Sequence, residues 1–296
     1  MRILLPNLSA RWWFIFIAGN LAFSLLFLTQ GRKIHRGHLA VNFFDVTEGD
    51  AITVQTPAGH LIAIDGGIDR TVVSKVAGEQ SFFAREIDAL ILTHAHEDHV
   101  NGASEILQNF PVKTVFVATA GQENWLWQRF AKIAREKNVP VVEINESKNL
   151  RFGTTIFKTI FPLAQTLETK NLNDTSLVFQ VQDFGKSVLL TGDIENAAER
   201  HILLHSTKSL QSDVLKVAHH GASTSTSDEF LQATSPQLAV VCAGNDSRFD
   251  HPHQSVLQKL AENHVRTWVT KDSGDVHLRI VQDQWQVENK WQVQSN

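Results

Sequence analysis

The segment His94-Ala95-His96-Glu97-Asp98-His99, set directly after the apolar run Ala89-Leu90-Ile91-Leu92 and Thr93, constrains this chain more than any other feature. A short apolar run of this kind reads as a buried strand. Where such a strand ends, its side chains emerge at a sheet edge, and the loop that follows can aim several of them at one point. Three imidazoles and a carboxylate so close together are costly to bury without partners. Their spacing suits metal: His94 and His96 fall on one side of an extended segment and can grip one ion, while Asp98 and His99, on the turn that follows, reach a second. A solvated polar loop is the alternative reading.

Around this segment the pattern is that of a mixed α/β chain. Strands are predicted over 39–45, 51–56 and 61–65, with a Pro57-Ala58-Gly59 turn between the second and third. Apolar runs at 87–93, 112–118 and 139–144 then alternate with helical stretches at 103–110 and 124–137. The second half repeats the plan. A strand at 150–161 and a hairpin at 176–191, turning at Asp183-Phe184-Gly185-Lys186, precede helices at 195–205, 227–233 and 255–263, which alternate with strands at 213–218 and 238–243 and near Val265 and Val276. Two sheets with helices outside them satisfy that order. At 296 residues and 43% hydrophobic the chain can bury a sizeable core. Its one cysteine, Cys242, lies in a buried-strand run and can form no disulfide within the chain.

The first thirty residues stand apart. Trp12 to Leu28 is a run of seventeen residues without charge, the lower limit for a bilayer span. No small-x-small cleavage site follows Leu28, so an uncleaved anchor is preferred over a secretory signal peptide, which would leave the chain secreted. A buried helix fits less well, because the aromatics go all round it. Arg2 and Arg11 before the segment and Arg32, Lys33 and Arg36 after it leave the positive-inside rule undecided. The expected division is 1–30 as anchor or signal, 31–37 as basic linker, 38–283 as the folded domain and 284–296 as a last hairpin or tail.

The run Thr-His-Ala-His-Glu-Asp-His resembles the His-x-His-x-Asp-His signature of the metallo-β-lactamase superfamily. Other pieces resemble the hydrolase domain of the ComEC DNA-uptake (competence) family: Phe44-Asp45-Val46 with Gly49-Asp50-Ala51, Ile64-Asp65-Gly66-Gly67, Asn173-Asp174-Thr175-Ser176-Leu177, Leu190-Thr191-Gly192-Asp193, Lys216-Val217-Ala218-His219-His220-Gly221 and His251-Pro252-His253. Together they cover about residues 38 to 280. The resemblance implies an α/β fold, a four-layer αβ/βα sandwich, and the apolar run before it is expected to form one N-terminal transmembrane or signal-anchor helix.

It also implies two divalent ions, Zn²⁺ or Mn²⁺, on His94, His96, Asp98, His99, Asp193 and His219. Asp193 would bridge them, since an anionic bridge lets two dications sit close together. Of the adjacent His219 and His220, the first is preferred as ligand and the second as a group acting on substrate, though strand-end neighbours are not separable by sequence. Asp65 and Asp45 would hold the ligand loops by hydrogen bonds. Thr47-Glu48 departs from the Gly-Gln usual in that family. No histidine occurs between His99 and His201, where lactonases and β-lactamases would supply another ligand. Asn173 and Asp174 stand there instead, available to orient water, bind substrate or fill the first ion's shell, or simply to make a turn.

Such ions lower the pKa of a shared water from about 16 to near neutrality for in-line attack on phosphorus. Asp98 or Asp193 would accept a proton, and His220, His251 or His253 would serve the leaving group. Ser223, Thr224, Ser225 and Thr226 are candidate phosphate-binding hydroxyls, or cap the helix that follows, since Thr226 and Glu229 have capping-box spacing. His251 and His253 are candidate substrate contacts, or the start of a helix. Trp125, Trp127, Arg129, Arg248 and Phe249 are weaker candidates for stacking or backbone contacts. The expected activity is phosphodiester hydrolysis, on DNA first and on a small phosphocholine- or nucleotide-type ester second; a non-catalytic DNA-binding or assembly module is third. The formal charge of -4 gives no overall basic field, so contact with DNA would come from a local patch or the ions. The implied partners are DNA, a membrane DNA-uptake channel and inner-membrane lipid. The implied location is the bacterial cell membrane, single-pass, with the hydrolase domain extracytoplasmic.

Overall fold

The computed structural model describes residues 12–13, 15–22, 24, 37–80, 86–118, 124–163, 167–244 and 250–289. Residues 1–11, 25–36, 245–249 and 290–296, and with them most of the linker, Arg248, Phe249 and Trp291, lie outside the described residues. Within 12–24 the described positions are helical, and Trp12, Trp13, Ile15, Phe16, Ile17 and Leu21 are all more than half exposed. Among the described residues no helix is long and apolar enough to cross a membrane.

The first sheet starts as an antiparallel meander of β1 (Ala40–Phe43), β2 (Ala51–Gln55) and β3 (Leu61–Asp65). It continues in parallel with β4 (Ala89–Leu92), β5 (Val115–Ala118) and β6 (Val141–Ile144). Parallel neighbours need crossovers, supplied here by α1 (Thr71–Glu79), α2 (Glu97–Asn109) and α3 (Trp125–Glu136). The second sheet repeats this grammar. β7 (Leu150–Phe152), β8 (Thr155–Phe161), β9 (Val178–Asp183) and β10 (Lys186–Leu190) are antiparallel, and β11 (Val214–Lys216), β12 (Leu238–Val241) and β13 (Arg266–Val269) follow in parallel. Between them run α4 (Asn196–His205), α5 (Asp228–Thr234) and α6 (Gln254–Glu262). The chain then returns through β14 (Val276–Val281), which pairs with β1, and β15 (Gln284–Asn289), which forms the outer strand of the first sheet.

Three apolar layers hold this together. Val41, Phe43, Val54 and Ile64 of the first sheet meet Phe157, Phe179, Val181 and Val240 of the second, a core in which each fully buried side chain contributes about 1.5–3 kcal/mol. Helices α1 to α3 cover the outer face of one sheet through Val72, Val76, Ile106 and Phe130, and α4 to α6 cover the other through Ile202, Phe230 and Leu260. The fold is α/β, two sheets flanked by helices.

Several elements differ from the sequence reading. Helix α2 starts at Glu97, six residues before the expected start, because Glu97 and Asp98 suit the positive end of a helix and His96 accepts from Val100 N at 2.9 Å. Asp98 and His99 therefore lie on its first turn rather than in a loop. The stretch 150–161 folds back on itself around Gly153 (φ 65°) as the β7–β8 hairpin. Ser227, not Thr226, caps α5, accepting from Phe230 N at 3.3 Å.

Candidate metal centre

Both sheets end their central parallel strands at one edge, and the site is built there. From β3, Asp65 (φ 54°) accepts Thr93 N at 2.8 Å and Thr93 Oγ1 at 2.6 Å, and its carboxylate meets His99 Nδ1 at 2.9 Å. Since Thr93 gives its one hydroxyl proton to Asp65, its oxygen accepts from His94 Nδ1 (3.1 Å). That leaves His94 Nε2 as a lone pair, facing His96 Nδ1 at 3.1 Å.

Asp193 follows β10, buried, its backbone N–H donating to Ser176 Oγ at 3.1 Å. Its Oδ2 lies 3.0 Å from both His99 Nε2 and His220 Nε2, and His220 Nε2 is 3.2 Å from Asp98 Oδ2. The carbonyl of Cys242 accepts from His220 Nδ1 at 2.9 Å, as Asp65 does from His99. Each ring thus has its outer nitrogen tied to an acceptor and its inner nitrogen aimed at Asp193, the arrangement that orients imidazole for a cation. Asp98, His99, Asp193 and His220 bring one donor atom apiece to within 4.8 Å of one another, and the His94 ring lies 4.2 Å from that of His99. This donor set fits two divalent cations.

His219 and His220 both adopt the left-handed region, with φ of 47° and 52°. Two successive non-glycine residues there store roughly 1–3 kcal/mol of strain each. The turn sends their rings apart. His220 enters the carboxylate cluster, and His219 faces Asn173 Nδ2 (3.4 Å) and Glu195 (3.4 Å). His220, and not the expected His219, thus stands among the clustered donors.

The electrostatics follow from burial against charge. Desolvation alone would lower His99 and His220, but Asp193 and its neighbouring carboxylates raise both well above the usual histidine range. Burial would raise Asp193, yet His220, His99 and Lys216 hold it well below the usual range. Burial and the charge of His99 push His94 down. Lys216, fully buried on β11, donates to Gly192 O at 2.9 Å, contacts Asp193 Oδ1 at 3.3 Å and pairs with Asp50.

A cavity of about 360 Å³ opens over these donors, lined by His96, Asp98, Asn173, Asp193, His219 and His251, with Ser223 and Thr224 on the rim. Other predicted residues are engaged elsewhere. Asp174 gives its carboxylate to Glu195 N at 2.9 Å, fixing the entry to α4 rather than meeting substrate. Ser225 donates to Ala218 O and Ala222 O, so its hydroxyl is spent on the turn. His253 caps α6, accepting from Ser255 N, and does not line the cavity. Asp45 lies outside the cluster, its N–H donating to Asp275 at 2.9 Å. Trp125 is exposed and Trp127 packs against the α1–α3 core, both off the cavity lining. Sequence reasoning gave no role to Lys216 or Glu195. A lone lysine inside the apolar stretch 213–218 was the available signal, since an unpaired charge is rarely buried.

Residues 48–245 match the pattern of the Metallo-beta-lactamase superfamily. The chain belongs to that superfamily. It is a metal-dependent hydrolase domain of this fold, with relatives among competence proteins. It is 28% identical over 282 residues to ComE operon protein 3 of Bacillus subtilis, covering 90% of this chain and 36% of that protein. To Competence protein ComA of Neisseria gonorrhoeae it is 26% identical over 94% of this chain and 37% of the other. To Recombination protein 2 of Haemophilus influenzae it is 30% identical, over 68% and 23%. The chain thus spans between about a quarter and somewhat over a third of the length of these relatives. Among solved structures, YhfI from Bacillus subtilis superposes with a TM-score of 0.51 at 13% identity, covering 80% of this chain and 98% of that one. A mutant of the CmlA beta-hydroxylase gives 0.54 at 13%, over 81% and 54%. At that identity these two establish the fold alone.

Proposed function

We propose that this domain hydrolyses phosphodiester bonds in DNA. The observation that carries the reading is the charge of the site. Four carboxylates (Asp50, Asp65, Asp98, Asp193) stand against one buried ammonium, Lys216, and Glu48 adds another on the cavity wall, so two dications are needed to bring the site to about neutrality and themselves give an anionic diester its point of attachment beneath an open cavity. His94, His96 and Asp193 would hold one cation and Asp98, His99, Asp193 and His220 the other. Zn²⁺ or Mn²⁺ bound there supplies Lewis acidity and a water of lowered pKa. Asp98, the most exposed of the four carboxylates, is placed to accept a proton. His251 is lowered to about 4 by burial and the nearby His220 and His219, so it meets a phosphoryl oxygen as a neutral hydrogen-bond donor. Ser223 serves the adjoining phosphate. His220, whose two nitrogens are both engaged, leaves the leaving group to solvent.

The relatives' names, a ComE operon protein, a competence protein and a recombination protein, favour DNA over a small ester. In this reading the domain works beside a membrane DNA-uptake channel, and the exposed apolar helix around Trp12, Trp13 and Phe16 attaches it to inner-membrane lipid, with the hydrolase outside the cytoplasm.

The test is hydrolysis by the full chain in detergent micelles, with Mn²⁺ or Zn²⁺, of single- and double-stranded DNA, bis-p-nitrophenyl phosphate and a lactone. DNA cleavage that Asp193→Ala reduces roughly a thousandfold or more is expected. Turnover of the lactone alone would overturn the phosphodiesterase reading, and cleavage of the small diester without DNA would move it to a small substrate.

A further inference from the structure

Asn173 stands on the short helical turn Asn173–Thr175 and is 6% exposed. Its Nδ2 donates to Glu195 Oε1 at 2.8 Å, the same oxygen that takes Asn171 Nδ2 at 2.9 Å, and approaches His219 Nε2 at 3.4 Å. A carboxylate only accepts, so Glu195 fixes which way the amide points. The amide oxygen is turned the other way, buried, with no hydrogen-bond partner. Leaving such an acceptor unsatisfied costs roughly 1–3 kcal/mol.

The oxygen's surroundings supply its partner. Asn173 lines the same cavity as His96 and Asp193, and its side chain lies within hydrogen-bonding reach of the His96 ring. His94 Nε2 and His96 Nδ1 converge at 3.1 Å, with His94 fixed as a lone pair by Thr93. Two imidazoles and one oxygen of Asp193 fall one donor short of a four-coordinate shell.

We propose that Asn173 Oδ1 is the third protein ligand, besides the shared Asp193, of the cation held by His94 and His96, and that Glu195 holds it in that orientation. A shell of two imidazoles, an amide oxygen and a carboxylate oxygen is harder than one built from three imidazoles. Carbonyl and carboxylate donors favour Mn²⁺, so this position takes Mn²⁺ more readily, relative to Zn²⁺, than an all-imidazole site would. The inference rests on the two-cation reading of the centre and not on the substrate being DNA.

The test is a titration of the full chain in detergent, first stripped with chelator, following free Mn²⁺ by electron paramagnetic resonance and then competing with Zn²⁺. The wild type takes up two Mn²⁺. Asn173→Ala keeps one site and loses affinity at the other by roughly tenfold or more. Melting of the chelated proteins reports whether each variant folds. Should the alanine variant not fold, Asn173→Ser, whose hydroxyl is too short to reach, must show the same single-site loss. Two sites of wild-type affinity in Asn173→Ala would overturn this assignment alone. Fewer than one cation per wild-type chain would overturn it together with the two-cation centre.

Discussion

Lys216 Nζ stands 3.3 Å from Asp193 Oδ1, on the side of the carboxylate opposite to the oxygen that meets His99 and His220. The lysine, fully buried, also pairs with Asp50, so one ammonium fixes two carboxylates and leaves Asp193 Oδ2 free for the donor cluster. Removing one partner of a buried pair leaves an uncompensated charge and costs about 3–5 kcal/mol. Lys216→Met should lower stability by that order in chemical denaturation with chelator present. It should also weaken cation uptake, because Asp193 is then free to turn.

Gly66, after β3, and Gly102, on α2, touch through their backbones. A Cβ built on Gly102 would lie 1.8 Å from Gly66 O. In an isolated helix alanine is favoured over glycine by about 1 kcal/mol, but this contact is with backbone that cannot turn aside. Gly102→Ala should therefore destabilise the fold by about 1–3 kcal/mol. It should also weaken cation binding, since the displaced helix carries Asp98 and His99 on its first turn.

Glu199, fully buried on α4, accepts from Thr226 N and Ser227 N and so pins the loop that leaves the His219-His220 turn. Glu199→Ala strands two buried donors and should cost roughly 1–3 kcal/mol for each in thermal or urea melts. Glu199→Gln, which keeps one acceptor oxygen, should recover part of that loss.

The alternation of apolar runs and helical stretches was legible in sequence because it reports directly on burial. So was the His94–His99 segment, where costly groups crowd the end of a buried strand. Long-range pairing was not. His219 and His220 are adjacent, and only the left-handed turn decides which enters the cluster. Asp174, Ser225 and His253 have chemistry suited to a site, but each spends it on a backbone group within about twenty residues, as short polar side chains near turns do. Helix α1 escaped notice because only Val72 and Val76 are fully buried on it and the Gly66-Gly67 pair before it reads as loop. Asp50 and Lys216 lie 166 positions apart in the numbering, and nothing local marks them as partners.

His277, on β14, donates from Nδ1 to Asn42 Oδ1 at 2.9 Å; Asn42 spends its Nδ2 on Thr53 and Glu79, which fixes the oxygen toward the ring. Burial pushes the pKa of His277 below the usual value of 6.5, only partly opposed by Asp275. The unfolded chain therefore binds a proton at a pH where the folded chain does not. Stability from this group is complete above about 6.5, falls as pH drops through that value, and levels off below the folded pKa. His277→Gln keeps an amide donor for Asn42 and removes the titration. Melting temperatures of chelated wild type and variant at pH 7.5 and 5.5 should show a larger loss on acidification in the wild type. Equal losses would mean that the ring titrates alike in both states.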